Sequence, residues 1–187
     1  MIFVILTIES RIELANETKQ SLIDVGVNPE DIVFMFGYDQ KDYPNMNKPY
    51  TLISRYFIDS ILPAVEKVGE DMFYVEDGTL FSCNPIDYIV DRRKIIWMGY
   101  IFRHVNYICG SKCVYIPLDV VSKLIAKQIK RFSHIDRLIR NFGILNDNML
   151  ILDQTIIYHA EYESAWGSEC QKERKTMFKN KLLLKTL

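Results

Sequence analysis

The chain is 187 residues long, 49% hydrophobic and 25% charged, with a formal net charge of −1. Those values support one domain with a full hydrophobic core and exclude a disordered or collagen-like chain. No stretch reaches the length of a membrane helix, which points to a soluble protein acting in the cytoplasm of the cell that makes it.

In chain order, Met1 to Ile8 is a continuous apolar run ended by Glu9 and Arg11. It has no basic leader or small-residue cleavage site, and unbroken apolarity is the pattern of a strand covered on both faces of a parallel sheet. From Glu13 to Val25, Leu14, Thr18, Leu22 and Val25 recur at helical spacing, and Gly26 is placed to end the helix. After the turn Asn28-Pro29, the run Ile32 to Phe36, closed by Gly37, completes a right-handed strand–helix–strand unit. Asp39 to Pro49 holds two prolines and no apolar period, so it reads as a long loop.

Leu52 to Val68 reads as a helix with Ile53, Phe57, Ile61, Ala64 or Val65, and Val68 on one face, a kink at Pro63 and a stop at Gly69. Met72 to Val75 is a third strand, which delivers Glu76-Asp77-Gly78 at its end. Ile95 to Met98 and Cys113 to Ile116 are further strands, and Leu118 to Ile129 is a helix with Pro117 near its start. The tail, Cys170 to Leu187, reads as a basic helix. Strands and helices alternate with no repeat and no flexible linker. The expected architecture is therefore a single-domain α/β three-layer sandwich with a mostly parallel sheet, spanning 1–187 and ending in a basic segment, 170–187.

Lys123 to Arg140 and Lys172 to Lys185 each carry a net +5, so the remainder carries −11. The basic last third is either a face that meets an anion or a solvated lysine-rich helix face. Cys83, Cys109, Cys113 and Cys170 lack a second ligand pair, and read as free buried thiols in a reducing compartment rather than a metal site or a disulfide framework.

In open α/β sheets, ligands bind outside the carboxyl ends of the strands, where chain reversals leave a crevice. Three polar clusters fall there: Thr7, Glu9, Ser10 and Arg11 after the first strand, Asp39 after the second, and Glu76 with Asp77 after the third. Adjacent carboxylates at a strand end are either hard oxygen ligands for a cation that neutralises a diphosphate, or an ordinary acidic turn. Trp97, Tyr115 and Trp166 are either stacking platforms for a sugar or base, or core residues.

The series Ile8-Glu-Ser-Arg11, Glu76-Asp77 after an apolar strand, Trp97-x-Gly-Tyr100, Gly110-Ser-Lys-Cys-Val-Tyr115-Ile-Pro, Lys123-Leu124 and Asp136 resembles glycosyltransferases of the GT-A fold. The likeness is to family 25, which includes lipooligosaccharide-type enzymes, and it covers roughly residues 1 to 140. It implies transfer of a sugar from a nucleotide-sugar donor, a UDP-sugar, to an acceptor hydroxyl. Thr7, Glu9, Arg11, Asp77 and Lys112 would then hold the donor, and Asp136 or Asp153 would take the acceptor proton if the reaction inverts.

In that family the acidic triplet is Glu-Asp-Asp, and its last carboxylate binds the metal most directly; here the third position is Gly78. A manganese or magnesium ion would have to use Glu76 or Asp77 with help from His159 in Tyr158-His-Ala-Glu161. Without a cation, Arg11, Lys112 or the basic tail would stabilise the leaving diphosphate. The acceptor is a glycan or, given the two basic segments, a hydroxymethylated base in DNA that the enzyme would have to extrude. Two other classes stand beside this one: a metal-dependent nuclease or phosphotransferase using Glu76, Asp77 and Asp87, and a catalytically inactive nucleotide-sugar-binding domain.

Overall fold

Among the described residues, seven strands hydrogen-bond into one sheet in the order β11-β9-β5-β8-β3-β1-β2. The structure is a computed structural model that describes residues 1–38, 50–98, 101–102, 107–108, 112–127, 134–152, 156–159 and 185–186. In chain order the strands are β1 (Ile2–Thr7), β2 (Ile32–Phe36), β3 (Met72–Glu76), β4 (Thr79–Phe81), β5 (Ile95–Trp97), β6 (Ile101–Phe102), β7 (Tyr107–Ile108), β8 (Cys113–Ile116), β9 (Met149–Ile151), β10 (Ile157–His159) and β11 (Lys185–Thr186). The helices are α1 (Ile12–Asp24), α2 (Tyr50–Tyr56), α3 (Leu62–Val68), α4 (Leu118–Ala126) and α5 (Ile135–Leu145).

Strands β2, β1, β3, β5 and β9 run in one direction, while β8 and β11 run against them. The sheet is mostly parallel, as the apolar runs imply. Period-two alternation assigns each strand's side chains to two cores. Val4, Tyr74, Trp97 and Val114 face the layer made by α2 to α5, with Phe57, Ile61, Val65, Val121, Leu124 and Ile139 opposite them. Phe3, Ile5, Phe73, Val75, Ile96 and Tyr115 face Ala15 and Leu22 of α1, together with Phe81 and Ile157 of the small β4–β10 sheet. The result is a three-layer α/β sandwich. On the α1 side a row of rings crosses three strands: Phe3 stacks on Phe73 with centroids 4.6 Å apart, and Phe73 meets Tyr115 at 5.4 Å. Such pairs add about 0.5–1.5 kcal/mol each beyond the area they bury.

Three expectations change in detail. The stretch 50–68 is helical, but between α2 and α3 it widens into a π-helical segment, Phe57–Ile61, directly ahead of Pro63. Proline has no N–H to bond back to residue 59 and its ring crowds that carbonyl, so the backbone accommodates it by a wider turn rather than a simple kink. The extra residue rotates the next face: Leu62 and Val65 are buried, whereas Val68 is 57% exposed. The helix stops at Gly69, in the left-handed conformation. In the tail, Lys185–Thr186 form strand β11 against β9 rather than helix, and 160–184 lies outside the described residues. The strand pair β4–β10 and the antiparallel insertion of β8 have no counterpart in the sequence pattern.

Of the four cysteines, Cys113 is buried and free, as expected, and burial pushes its thiol pKa well up. Cys83 is free and half-buried, while Cys109 and Cys170 lie outside the described residues. Among the described residues no helix is long and apolar enough to cross a membrane.

Candidate active site at the carboxyl edge of the sheet

Three backbone hydrogen bonds tie the strand ends together at this edge. Gly37 N–H donates to the Thr7 carbonyl (2.8 Å), Asp77 N–H to Leu6 (3.2 Å) and Glu76 N–H to Lys112 (3.0 Å). Ends of β2, β1 and β3 and the start of β8 are thereby held side by side.

Arg11 donates its Nε–H to both oxygens of Asp77 (3.1 and 3.0 Å) and an Nη2–H to Oδ1 (2.7 Å). Thr7 donates its hydroxyl to Oδ2 of the same carboxylate at 2.9 Å. The pair is mostly out of solvent, with the Arg11 and Asp77 side chains 17% and 12% exposed, so each charge depends on the other for its solvation. Beside it, Lys112 Nζ lies 2.7 Å from Glu76 Oε2. Lys112 is itself fixed at its backbone, since its carbonyl also accepts the hydroxyl of the buried Thr79 at 3.3 Å. Gly78, at φ +73, turns the chain from β3 into β4.

Five of the sequence-predicted residues therefore stand at this edge in two groups, Thr7 and Arg11 on Asp77, and Lys112 on Glu76, which strand alternation sends to opposite faces of the sheet. Others do not join them. Glu9 stands exposed on the short 3-10 turn Glu9–Arg11. Asp136 occupies the first turn of α5 and accepts the Arg137 N–H at 2.7 Å. That helix packs on β9, three strand positions from β3 and so about 14 Å away at ordinary strand spacing. The backbone of His159 lies in register with Thr79, next to the Asp77 turn, but its side chain is outside the described part. Asp153, Asp39 and Trp166 are also outside the described residues. Asp87, on the turn Pro85–Tyr88, shares no hydrogen bond or ion pair with Glu76 or Asp77 among the described residues.

Of the two roles open to the aromatic residues, Trp97 and Tyr115 take the core one. Trp97 and Tyr115 are fully buried, and Tyr115 donates its hydroxyl to Asp71 Oδ2 at 2.7 Å, at the opposite edge of the sheet; both are core residues, not platforms. The aromatic pair that does stand at this edge is absent from the sequence-based candidates. Tyr38, 46% exposed just beyond β2, meets Tyr56 edge-on with centroids 5.8 Å apart. Burial first, then the neighbouring Tyr38 phenol, raise the Tyr56 hydroxyl above its ordinary pKa. A side chain at Gly37 would sit 3.4 Å from Leu6 and 3.8 Å from the Tyr56 ring, so β2 ends close against both. A tyrosine two residues after the end of a parallel strand is the signal that could have found it.

The resemblance read from the sequence raises a divalent cation on Glu76 or Asp77 at this edge. The donor set does not fit one: Asp77 is bonded through both oxygens, Glu76 is ion-paired, and the third position has no side chain. Among the described residues no group of three or more His, Cys, Asp or Glu is arranged to hold a metal.

No protein-family model and no curated protein matches the sequence. Among solved structures, the chain is similar to a glycosyltransferase involved in the glycosylation of the major capsid of PBCV-1, with a TM-score of 0.51, 12% identity and 81% of each chain covered. It also aligns with the glycosyltransferase GlyE of Streptococcus pneumoniae TIGR4, at a TM-score of 0.47 and 12% identity over 81% of this chain and 45% of that one. The galactosyltransferase LgtC, solved with donor and acceptor sugar analogues, gives a TM-score of 0.48 and 11% identity over 76% and 70%. The first of these carries the fold: the chain is a mixed α/β sandwich of GT-A type.

Proposed function

We propose that the chain is a nucleotide-sugar-dependent glycosyltransferase, moving a sugar from a UDP-sugar or related donor to an acceptor hydroxyl. The observation that carries this is the ordered polarity of the sheet's carboxyl edge. From β2 through β1 and β3 to β8 it presents an aromatic pair (Tyr38, Tyr56), a hydroxyl with a guanidinium (Thr7, Arg11), a carboxylate pair (Asp77, Glu76) and an ammonium (Lys112). Three strand spacings span about 14 Å, the reach of an extended nucleoside diphosphate. The base would stack on Tyr38, the ribose would meet Thr7 and Asp77, and the diphosphate would approach Arg11 and Lys112.

Glu9 would lie at the rim of the donor site. The acceptor proton would pass to Asp136 or Asp153, and His159 would stand near the donor diphosphate. The family 25 likeness fits this reading through Ile8-Glu-Ser-Arg11 and Glu76-Asp77, and the cytoplasmic nucleotide-sugar pool fits the donor. The acceptor is a glycan or a hydroxymethylated base in DNA. Binding to duplex DNA that weakens steeply with added salt identifies the second, and salt-insensitive acceptor binding the first. A nuclease or phosphotransferase loses ground because its carboxylates are already paired with Arg11 and Lys112. An inactive donor-binding domain differs only in failing to transfer, which a donor-turnover assay decides.

The test is thermal stabilisation by a panel of nucleoside diphosphates and their sugars. A ligand of the native state at about a hundred times its Kd adds roughly 2.7 kcal/mol and raises the melting temperature by several degrees. The proposal fails if no nucleotide in the panel moves it.

A further inference from the structure

We infer that this site takes its nucleoside diphosphate without a divalent cation, Arg11 and Lys112 standing where a metal would otherwise neutralise the acidic pair. The inference rests on the nucleotide-sugar reading above and adds the source of positive charge to it.

A bound magnesium or calcium ion needs several hard oxygens, each with a lone pair turned toward it. Here Asp77 accepts three N–H contacts from Arg11 and one hydroxyl from Thr7. An incoming cation would have to displace a guanidinium held in fork geometry and 17% exposed. Glu76 already has an ammonium at 2.7 Å. The position after Asp77 is a glycine at φ +73, and the residue after that, Thr79, is fully buried with its hydroxyl given to the Lys112 carbonyl. Neither supplies the second carboxylate of a cation cage.

Charge balance points the same way. A divalent ion would neutralise two carboxylates, and here each carboxylate is already neutralised by a cation of its own, Asp77 by Arg11 and Glu76 by Lys112. What differs is that these cations are covalently attached and already oriented. Arg11 engages Asp77 through Nε and Nη2 only, and guanidinium carries five N–H donors, so others remain to meet phosphate oxygens. Lys112 likewise has ammonium donors beyond the one aimed at Glu76. Oriented donors of this kind act on a diphosphate as a metal does, by holding negative charge in a fixed place, and need no ion from solution.

Two measurements decide it. Manganese titrated into the purified protein alone, followed by its electron paramagnetic resonance signal, is expected to stay free; stoichiometric binding at micromolar concentration overturns the inference. Calorimetric titration of UDP in EDTA and in manganese is expected to give the same affinity. In EDTA, Lys112→Met should weaken UDP about tenfold, the size of one lost charge-assisted contact; unchanged affinity overturns the role given to Lys112. UDP binding by the unaltered protein only when manganese is present would overturn the metal-free site while leaving the nucleotide reading intact. No binding of any nucleoside diphosphate under either condition would remove that reading and this inference with it.

Discussion

Strand β3 has an aspartate just outside each end, and the two are treated in opposite ways. Asp71, before the strand, accepts the Tyr115 hydroxyl at 2.7 Å and the backbone N–H of Leu118 at 2.9 Å. It meets neutral donors: its carboxylate caps the start of α4 from across the sheet and anchors the ring row of the α1-side core. Asp77, after the strand, meets a guanidinium and a hydroxyl that leave a different strand end. Both carboxylates are hydrogen-bonded and both look alike in sequence, yet one closes the closed end of the sheet and the other lines its open end. The difference is set by strand direction, because parallel strands gather their exits, with the helices that come after them, at one edge only.

The comparison predicts effects of different size and kind. Arg11→Met leaves the Asp77 charge stranded in a mostly dry site, and should cost about 3–5 kcal/mol in urea unfolding. Replacing both partners, as Arg11→Met with Asp77→Leu, should recover most of that stability while abolishing nucleotide binding; a double variant as unstable as the single would show that the pair does more than satisfy itself. Asp71→Ala leaves a helix N–H and a phenol short of a partner, for a loss of about 1–3 kcal/mol, with nucleotide affinity of the folded protein unchanged. If that variant loses nucleotide affinity as well, the separation of the two edges is wrong.

Tyr115→Phe should cost least, about 0.5–1.5 kcal/mol at neutral pH, since Asp71 keeps its bond to Leu118. It should also change the alkaline limb of stability. Burial first, then the bond to Asp71, raise the Tyr115 hydroxyl far above its ordinary 10.0, and the hydrogen bond with Cys83 first, then burial, push Tyr88 up to about 12. Both phenols are then protonated in the native state where the unfolded chain has begun to ionise. Their contribution is fully present below pH 10 and drains away as the pH climbs through the folded values. The unaltered protein should lose stability above that point, and Tyr115→Phe should lose it less steeply, as urea midpoints across the range will show.

Much of this arrangement is legible in the sequence because strand ends are where a one-dimensional pattern touches chemistry. The runs Ile2–Thr7, Ile32–Phe36, Met72–Glu76 and Cys113–Ile116 are largely apolar without alternation, so their ends are sharp, and polar residues just past them fall at a predictable place. Thr7, Arg11, Glu76 and Asp77 stand out in that way, whereas Lys112, which precedes its strand, enters only through the family resemblance. Their partnership does not: nothing in the spacing states that β1 lies between β2 and β3, or that β8 enters antiparallel and brings Lys112 to the edge that Glu76 leaves. Trp97 and Tyr115 stay open in the sequence because bulky aromatics suit both a platform and a core, and only the third dimension buries them. Tyr38 and Tyr56 lie eighteen residues apart on a strand exit and a helix, and no local rule joins them.

The widened turn at Phe57–Ile61 sets the rotational phase of α3. Each residue of a helix advances the side chains by roughly 100°. Deleting a single residue there would straighten the rod yet swing Leu62 and Val65 out of the interior, and bring α3 into β3 with its apolar stripe misaligned. Length in that segment is therefore constrained even where residue identity is not, and variants of this chain should tolerate substitution at Ile58 or Ser60 more readily than the loss of either.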